Sequence, residues 1–271
     1  MRAIEKTFKN LKEHHEGALL AYVTAGDPKP KHTPEVVEAL VKGGADIIEL
    51  GIPFSDPIAD GPTIQAAMVR ALEAGTTPKM TLKMVRKIKE KHGVPIVLLT
   101  YFNPIFRMGV ENFFSLAKKC HVDGVIVPDL PVEEASEYKK VSEAYEIDTV
   151  FLATPATSIE RLQEIINYTS GFLYLVSVFG VTGTRENVQD LTIQQIKRFL
   201  PYTKARIPLA VGFGISQPEH VKAVINSGAD GAIVGSAFVN IIQRNRGNIP
   251  RMLEKVEQYT LKLKDATKKH A

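Results

Sequence analysis

The alternation that runs the length of this chain restricts its fold more than any other feature. Eight short apolar runs lie at residues 18–24, 47–50, 96–100, 124–127, 149–152, 173–177, 209–212 and 232–234. Each is short and nearly continuous in hydrophobicity, the pattern of a strand buried on both faces in a parallel sheet. Stretches with helical periodicity separate them, at 34–42, 80–91, 110–119, 132–145, 159–167, 192–200 and 218–226. Thr33-Pro34 and Ser158-Ile159-Glu160-Arg161 read as helix starts, and Lys42-Gly43-Gly44 and Ser227-Gly228 as helix stops.

Eight strands, each followed by a helix and with no linker between them, predict one α/β domain over residues 1–271. The expected architecture is a closed (β/α)8 barrel of the TIM type. An amphipathic segment at 3–14 precedes the first strand and is placed to plug the barrel floor, and an extra helix at 63–74 falls in the second βα loop. A doubly wound open sheet shares the same alternation and is the alternative. Gly-Ala-Asp recurs at 44–46 and 228–230, each time just before a strand, but the echo is faint.

The totals agree with that reading. A length of 271 residues suits a single barrel, and 44% hydrophobic with 24% charged residues describes an ordinary globular chain. The one cysteine, Cys120, rules out an internal disulfide and fits a reducing compartment. It precedes the fourth strand, at the barrel end where sites do not form, so a structural thiol is expected. The first 17 residues are charged throughout, and no apolar run approaches the roughly 20 needed to span a bilayer. A cytoplasmic protein is therefore expected. The net charge of +4 is spread over helix faces such as 83–90 rather than gathered with aromatics, which argues against nucleic-acid binding.

Barrel sites form at the C-terminal ends of the strands. The residues expected there are Thr24, Glu49, Tyr101, Asp129, Thr154, Ser177, Gly212-Phe213-Gly214 and Gly235-Ser236, with Asp60 in the loop after the second strand. No lysine stands at a strand end to form a Schiff base, and the seven histidines are scattered elsewhere. Metal ligation has only Glu49, Asp60 and Asp129 to draw on. Proton transfer then falls to carboxylates.

Glu49 is the sharpest signal. Strand side chains alternate between faces, so if Ile48 and Leu50 meet the helices, Ile47 and Glu49 face the barrel interior. A poorly solvated carboxyl holds its proton to higher pH, as a general acid must. A structural glutamate paired with a buried base is the other reading. Asp60 lies in the proline-studded segment 53–62, whose fixed backbone would hold a carboxylate over the barrel mouth. Asp56 and Asp60 also suit plain turn or cap roles. Glycine loops after strands six, seven and eight suggest a phosphate site built from backbone N–H groups and a helix N-terminus. Each of these glycines is also ordinary turn chemistry.

With these residues in view, the chain resembles the tryptophan synthase alpha subunit family. Glu49-Leu50-Gly51-Ile52-Pro53-Phe54-Ser55-Asp56-Pro57 and Asp60-Gly61-Pro62-Thr63-Ile64-Gln65 match its long signature. Tyr22-Val23-Thr24-Ala25-Gly26-Asp27-Pro28, Pro131-Val132-Glu133-Glu134, Gly180-Val181-Thr182-Gly183 and Gly212-Phe213-Gly214-Ile215-Ser216 support it in family order along the whole chain.

The resemblance implies a lyase that splits indole-3-glycerol phosphate into indole and glyceraldehyde-3-phosphate. It makes Glu49 and Asp60 the catalytic carboxylates, with Tyr174 beside them, and Gly183, Gly214, Gly235 and Ser236 the phosphate site. Tyr22, Leu99, Ile126 and Phe213 would line an indole pocket, and Thr182 would lie in a closing lid. It implies no cofactor of the chain's own. Pyridoxal phosphate would belong to a beta subunit partner in an alpha2beta2 assembly, docked around Pro53, Asp56, Pro57, Asn103, Phe106 and Pro131. Tyr22 departs from the phenylalanine common in the family and adds a hydroxyl, and Val178-Phe179 is bulkier and less polar than in some relatives. Two rival readings are another phosphate-binding barrel enzyme of aromatic or histidine biosynthesis and a docking subunit without turnover. Loss of Glu49 or Asp60 would mark the latter, and both are present.

Overall fold

The structure is a computed structural model and describes residues 1–177 and 185–269, the side chains of 185–189 excepted. Its strands are β1 (Ala18–Thr24), β2 (Ile47–Gly51), β3 (Ile96–Leu99), β4 (Gly124–Ile126), β5 (Asp148–Val150), β6 (Leu152–Ala153), β7 (Leu173–Val176), β8 (Leu209–Gly212) and β9 (Gly231–Val234). All paired neighbours are parallel, in the order β5-β4-β3-β2-β1-β9-β8-β7-β6. The two ends of that order, β5 and β6, are halves of one strand interrupted at Phe151. The Phe151 carbonyl still accepts a hydrogen bond from the Tyr174 N–H at 3.1 Å, so the sheet closes into a barrel through this residue.

In β2 the expected faces are the observed ones, with Ile48 and Leu50 outward and Ile47 inward, and the other strands alternate in the same way. Leu19, Ile48, Leu98, Val125, Leu175 and Val211 are buried against the helices. Leu20, Ile47, Val97, Ile126, Val150 and Ala210 fill the interior. Helix α1 (Ala3–Glu13) lays Ile4, Phe8 and Leu11 across the floor of that interior, with Phe8 and Phe172 ring centroids 6.0 Å apart. An ion pair between Arg2 and Asp148 at 2.7 Å pins its start.

Outside the barrel lie α2 (Thr33–Lys42), α3 (Pro62–Glu73), α4 (Pro78–Lys89), α5 (Phe102–Met108), α6 (Val110–Lys119), α7 (Ser136–Ala144), α8 (Ile159–Tyr168), α9 (Arg185–Thr203), α10 (Pro218–Asn226), α11 (Ser236–Asn245) and α12 (Ile249–Asp265). Cys120 is the half-buried residue that ends α6, away from the strands' C-terminal ends.

Several boundaries differ from the sequence reading. The 132–145 stretch opens as a 3-10 turn, Val132–Glu134, because the Glu134 and Ala135 N–H groups bond three residues back; the α-helix begins only at Ser136. Helix α9 carries Pro201 within it, where a periodicity reading halts at Leu200. Helix α5 was not anticipated, and its seven residues start where Asp129 Oδ1 accepts the Phe102 N–H at 2.9 Å. Helix α12 was also missed. Its buried stripe is Met252, Val256, Thr260 and Leu263, with a threonine in one core position and lysines and glutamates around it. Among the described residues no helix is long and apolar enough to cross a membrane.

Because Phe8 is buried at the floor, Phe8→Ala should lower the unfolding free energy by about 3 kcal/mol. A urea midpoint that does not move would show that the floor is sealed without this ring.

Candidate functional site

The strands' C-terminal ends surround a cavity of about 610 Å³. Glu49, Asp60, Tyr22 and Tyr174 line it together with Leu99, Ile126 and Phe213. Gly214, Gly235 and Ser236 line the same space. Ten of the expected site residues thus share one cavity. Thr182 and Gly183, with the Gly180–Thr184 loop expected to act as a lid, lie outside the described residues.

Glycines at the tops of three strands make room for two tyrosines. A Cβ on Gly51 would come within 2.3 Å of the Tyr22 hydroxyl, and one on Gly212 within 2.2 Å of the Tyr174 hydroxyl. A Cβ on Gly235 would sit 3.3 Å from the Tyr22 ring. Gly212 is therefore the seat of an inward tyrosine, on the last residue of β8, more than a loop glycine. Tyr22 pairs in register with Glu49, and Thr24 with Gly51, so all four stand on adjoining strands at the mouth. The Tyr22 and Thr24 hydroxyls are 3.1 Å apart.

Glu49 is 2% exposed, and its Oε2 has no hydrogen-bond partner. Burial, then the nearby charge of Asp60, pushes its carboxyl up to about 8. The reading of Glu49 as one half of a buried ion pair has no base to support it among the described residues. Burial likewise holds Asp60 above its ordinary range, against the pull of a hydrogen bond from Tyr101.

That bond is the main support of the Asp60 loop. The fully buried Tyr101, at the end of β3, donates to Asp60 Oδ2 at 2.6 Å and accepts the Ala59 N–H at 3.0 Å. Its ring stacks on Phe54, with centroids 5.2 Å apart. Gln65 Nε2 holds the Asp60 carbonyl at 2.8 Å. Further on, Arg70 of α3 grips Asp27 with two 2.8 Å bonds, which ties the helix after the loop to the turn after β1. Tyr101 stood among the strand-end residues, but nothing local in the sequence pairs it with a residue 41 positions away.

The opposite side of the cavity is built for an anion. Phe213 and Gly214 are consecutive left-handed residues, at φ 74° and 69°. Gly235 is the N-cap of α11 and supplies no side-chain bond to its first N–H groups. A helix N-terminus with open N–H groups, flanked by glycine backbone, attracts negative charge. Arg244 and Asn240 of the same helix line the cavity beyond it.

Other expected residues have different placements. Asp56, Asn103, Phe106 and Pro131 are exposed and Pro57 is half-buried, whereas Pro53 is buried. Asp129 serves as the cap of α5. Among the described residues no three His, Cys, Asp or Glu side chains are grouped to hold a metal ion.

Residues 8–268 match the sequence profile of a family described as the tryptophan synthase alpha chain. A tryptophan synthase alpha chain of Solibacter usitatus is 47% identical over 264 residues, covering 97% of each chain. The solved tryptophan synthase subunit alpha of Legionella pneumophila superposes with a TM-score of 0.90 at 36% identity, covering 98% of both chains. A chain solved for a study of the tryptophan synthase a2b2 complex of Pyrococcus furiosus gives a TM-score of 0.85 at 42% identity, covering 92% of this chain and 98% of that one.

A carboxyl whose folded value lies near 8 rather than 4.5 binds its proton more tightly in the folded state. The stability this adds is complete below the unfolded value and is lost as pH rises towards the folded one. Glu49→Gln should therefore gain stability over the parent between these two values, reaching about 3–5 kcal/mol above pH 8. Parallel urea titrations at pH 5 and pH 9 measure it, and a constant difference would show that Glu49 is charged in the fold throughout.

Proposed function

The chain belongs to the family of tryptophan synthase alpha chains, and on that premise we propose how its cavity performs the alpha reaction, the retro-aldol cleavage of indole-3-glycerol phosphate. The observation that carries the reading is the pair of carboxyl groups in one largely apolar cavity, Asp60 half-buried at its mouth and Glu49 buried, without a partner at Oε2 and pushed up to about 8. A subunit that only docks has no use for such a pair.

The indole ring lies between Tyr22, Leu99, Ile126 and Phe213, and the phosphate between Gly214 after β8 and Gly235 and Ser236 at the N-terminus of α11. Glu49 donates its proton to indole C3, which makes the ring cationic. Asp60, held by Tyr101, accepts the ring N–H and stabilises that charge. The bond from C3 to the hydroxyl-bearing carbon then breaks, and its electron pair returns to the ring to restore neutral indole. The hydroxyl proton of the glycerol chain passes to the Glu49 carboxylate as the C=O of glyceraldehyde-3-phosphate forms. Glu49 ends the cycle protonated. Tyr174 packs beside the reacting centre, its hydroxyl under the influence of the Glu49 charge. Thr182 and Gly183, outside the described residues, match the family motif that the lid reading rests on.

No step calls for a metal or a cofactor. Pyridoxal phosphate belongs to the beta subunit, with which the chain forms an alpha2beta2 assembly in the cytoplasm. The exposed Phe106 and Asn103 on α5, with Asp56, Pro57 and Pro131, form the docking rim, and Pro53 supports it from beneath.

Purified protein should release indole from indole-3-glycerol phosphate with metals chelated, and faster once a beta subunit is added, by a coupling of about 1–3 kcal/mol. Absence of release by folded protein, alone and with the partner, would overturn the assigned reaction. Glu49→Gln should retain substrate binding and lose about 10²–10⁴-fold in turnover, and the alkaline limb of the parent should fall near pH 8. Near-normal turnover by that variant would remove Glu49 from the mechanism.

A further inference from the structure

The cavity carries two carboxyl groups, Glu49 and Asp60, yet it must admit a substrate whose phosphate is close to doubly charged at neutral pH. Its phosphate end offers glycine backbone and the open N-terminus of α11, which are dipoles and not full charges. Dipoles of this kind act within the first turn of a helix. They hold a phosphate that has arrived and do little to draw one in from solvent.

Among the described residues that line the cavity, Arg244 is the one positively charged side chain. It is exposed, and it makes no side-chain hydrogen bond or ion pair with another described residue. Its charge is not spent inside the protein, whereas Arg70 at the other wall is held by Asp27.

The placement of Arg244 follows from helix geometry. Ser236, Asn240 and Arg244 recur every four residues along α11 and stand on one face of it, and all three line the cavity. Arg244 lies about 12 Å along the axis from Ser236, and helical side chains lean towards the N-terminus, so the guanidinium stands roughly 10 Å from the phosphate seat. At that separation it does not bond the seated phosphate but acts on it through the field. Residues 215–217 after β8 and Tyr259 of α12 also line the cavity, and the Tyr259 hydroxyl donates to the Ser216 carbonyl at 2.6 Å. A cation set among low-dielectric walls focuses its field on the opening between them. Arg244 also stands in the last turn of α11, where a cation complements the helix dipole. An arginine turned to bulk solvent would serve that purpose equally, and the dipole does not call for one that lines the cavity.

We propose that Arg244 is a specificity-determining residue, an unpaired cation that steers the phosphate end of the substrate into the cavity and towards the N-terminus of α11, leaving the ring to settle beside Glu49 and Asp60. The inference rests on the reaction assigned above for the identity of the substrate. Any phosphate monoester feels the same field, so the steering can be measured without turnover.

The test is calorimetric binding of glycerol 3-phosphate to the parent, Arg244→Gln, Arg244→Lys and Arg244→Glu, with indole as the uncharged control, at about 10 mM and about 300 mM salt. At the lower salt Arg244→Gln should bind glycerol 3-phosphate about three- to fourfold more weakly than the parent. Arg244→Glu should bind it more weakly still, and Arg244→Lys nearly as well as the parent. At the higher salt the parent and Arg244→Gln should converge, because the charges are then screened within a few ångströms. Indole affinity should be the same throughout. With indole-3-glycerol phosphate the loss should follow the same order and salt dependence, and fall on kcat/KM more than on kcat. An Arg244→Gln affinity equal to the parent's at low salt overturns the proposal and leaves Arg244 as a partner of the helix dipole. A loss that persists undiminished at high salt, or that indole shares, also overturns it and marks a distorted cavity. Failure of the parent to make indole bears on the assigned reaction and leaves the glycerol 3-phosphate result standing.

Discussion

A carboxyl group taken out of water must find donors or keep its proton. Glu49 is the side chain on which the rest of this site depends, because the fold gives it no partner at Oε2 and very little solvent. An alternating strand with Ile48 and Leu50 against the helices leaves it no other direction than the interior. The interior around it is made of aliphatic and aromatic side chains, so the glutamate answers by staying neutral. Asp60 differs because a tyrosine hydroxyl is aimed at it and because its loop stands at the mouth rather than within the barrel. Two carboxyl groups of nearly equal intrinsic acidity are separated in role by what the backbone places next to each.

The scaffold around them reflects the same division. The deep half of the barrel is filled by apolar side chains and closed below by α1, which keeps the dielectric around Glu49 low. The upper half is made spacious by leaving out side chains. Gly51 and Gly212 end strands where Val or Ile would ordinarily stand, Gly235 follows the end of β9, and two tyrosines lean into the gaps. The opposite wall adds the open N-terminus of α11. The cavity is therefore polarised, with acid at one end and N–H donors at the other, as a substrate with an aromatic ring and a phosphate requires.

Much of this was legible in the amino-acid order. The alternation of short apolar runs with periodic segments placed every barrel strand within a few residues, because burial on both faces leaves a strand no freedom to be polar. The inward direction of Glu49 followed from the identity of its two neighbours. What was missed was long-range or disguised. The bond between Tyr101 and Asp60 joins residues far apart in sequence. Helix α12 hides its core stripe by using Thr260 where an aliphatic residue is expected. Gly212 was read as part of a turn because sequence alone does not show that Tyr174 leans against it. A glycine as the last residue of an apolar strand was the available signal.

The plug at the barrel floor has a consequence for traffic. With Ile4, Phe8 and Leu11 seated across the bottom, the cavity is closed from below, and among the described residues the Asp60 loop stands at its mouth. Whatever enters from the mouth meets a sealed floor, so two products formed together cannot part through the bottom of the barrel. A protein docked on that rim need not touch Glu49 to govern the chemistry, because it stands over the mouth.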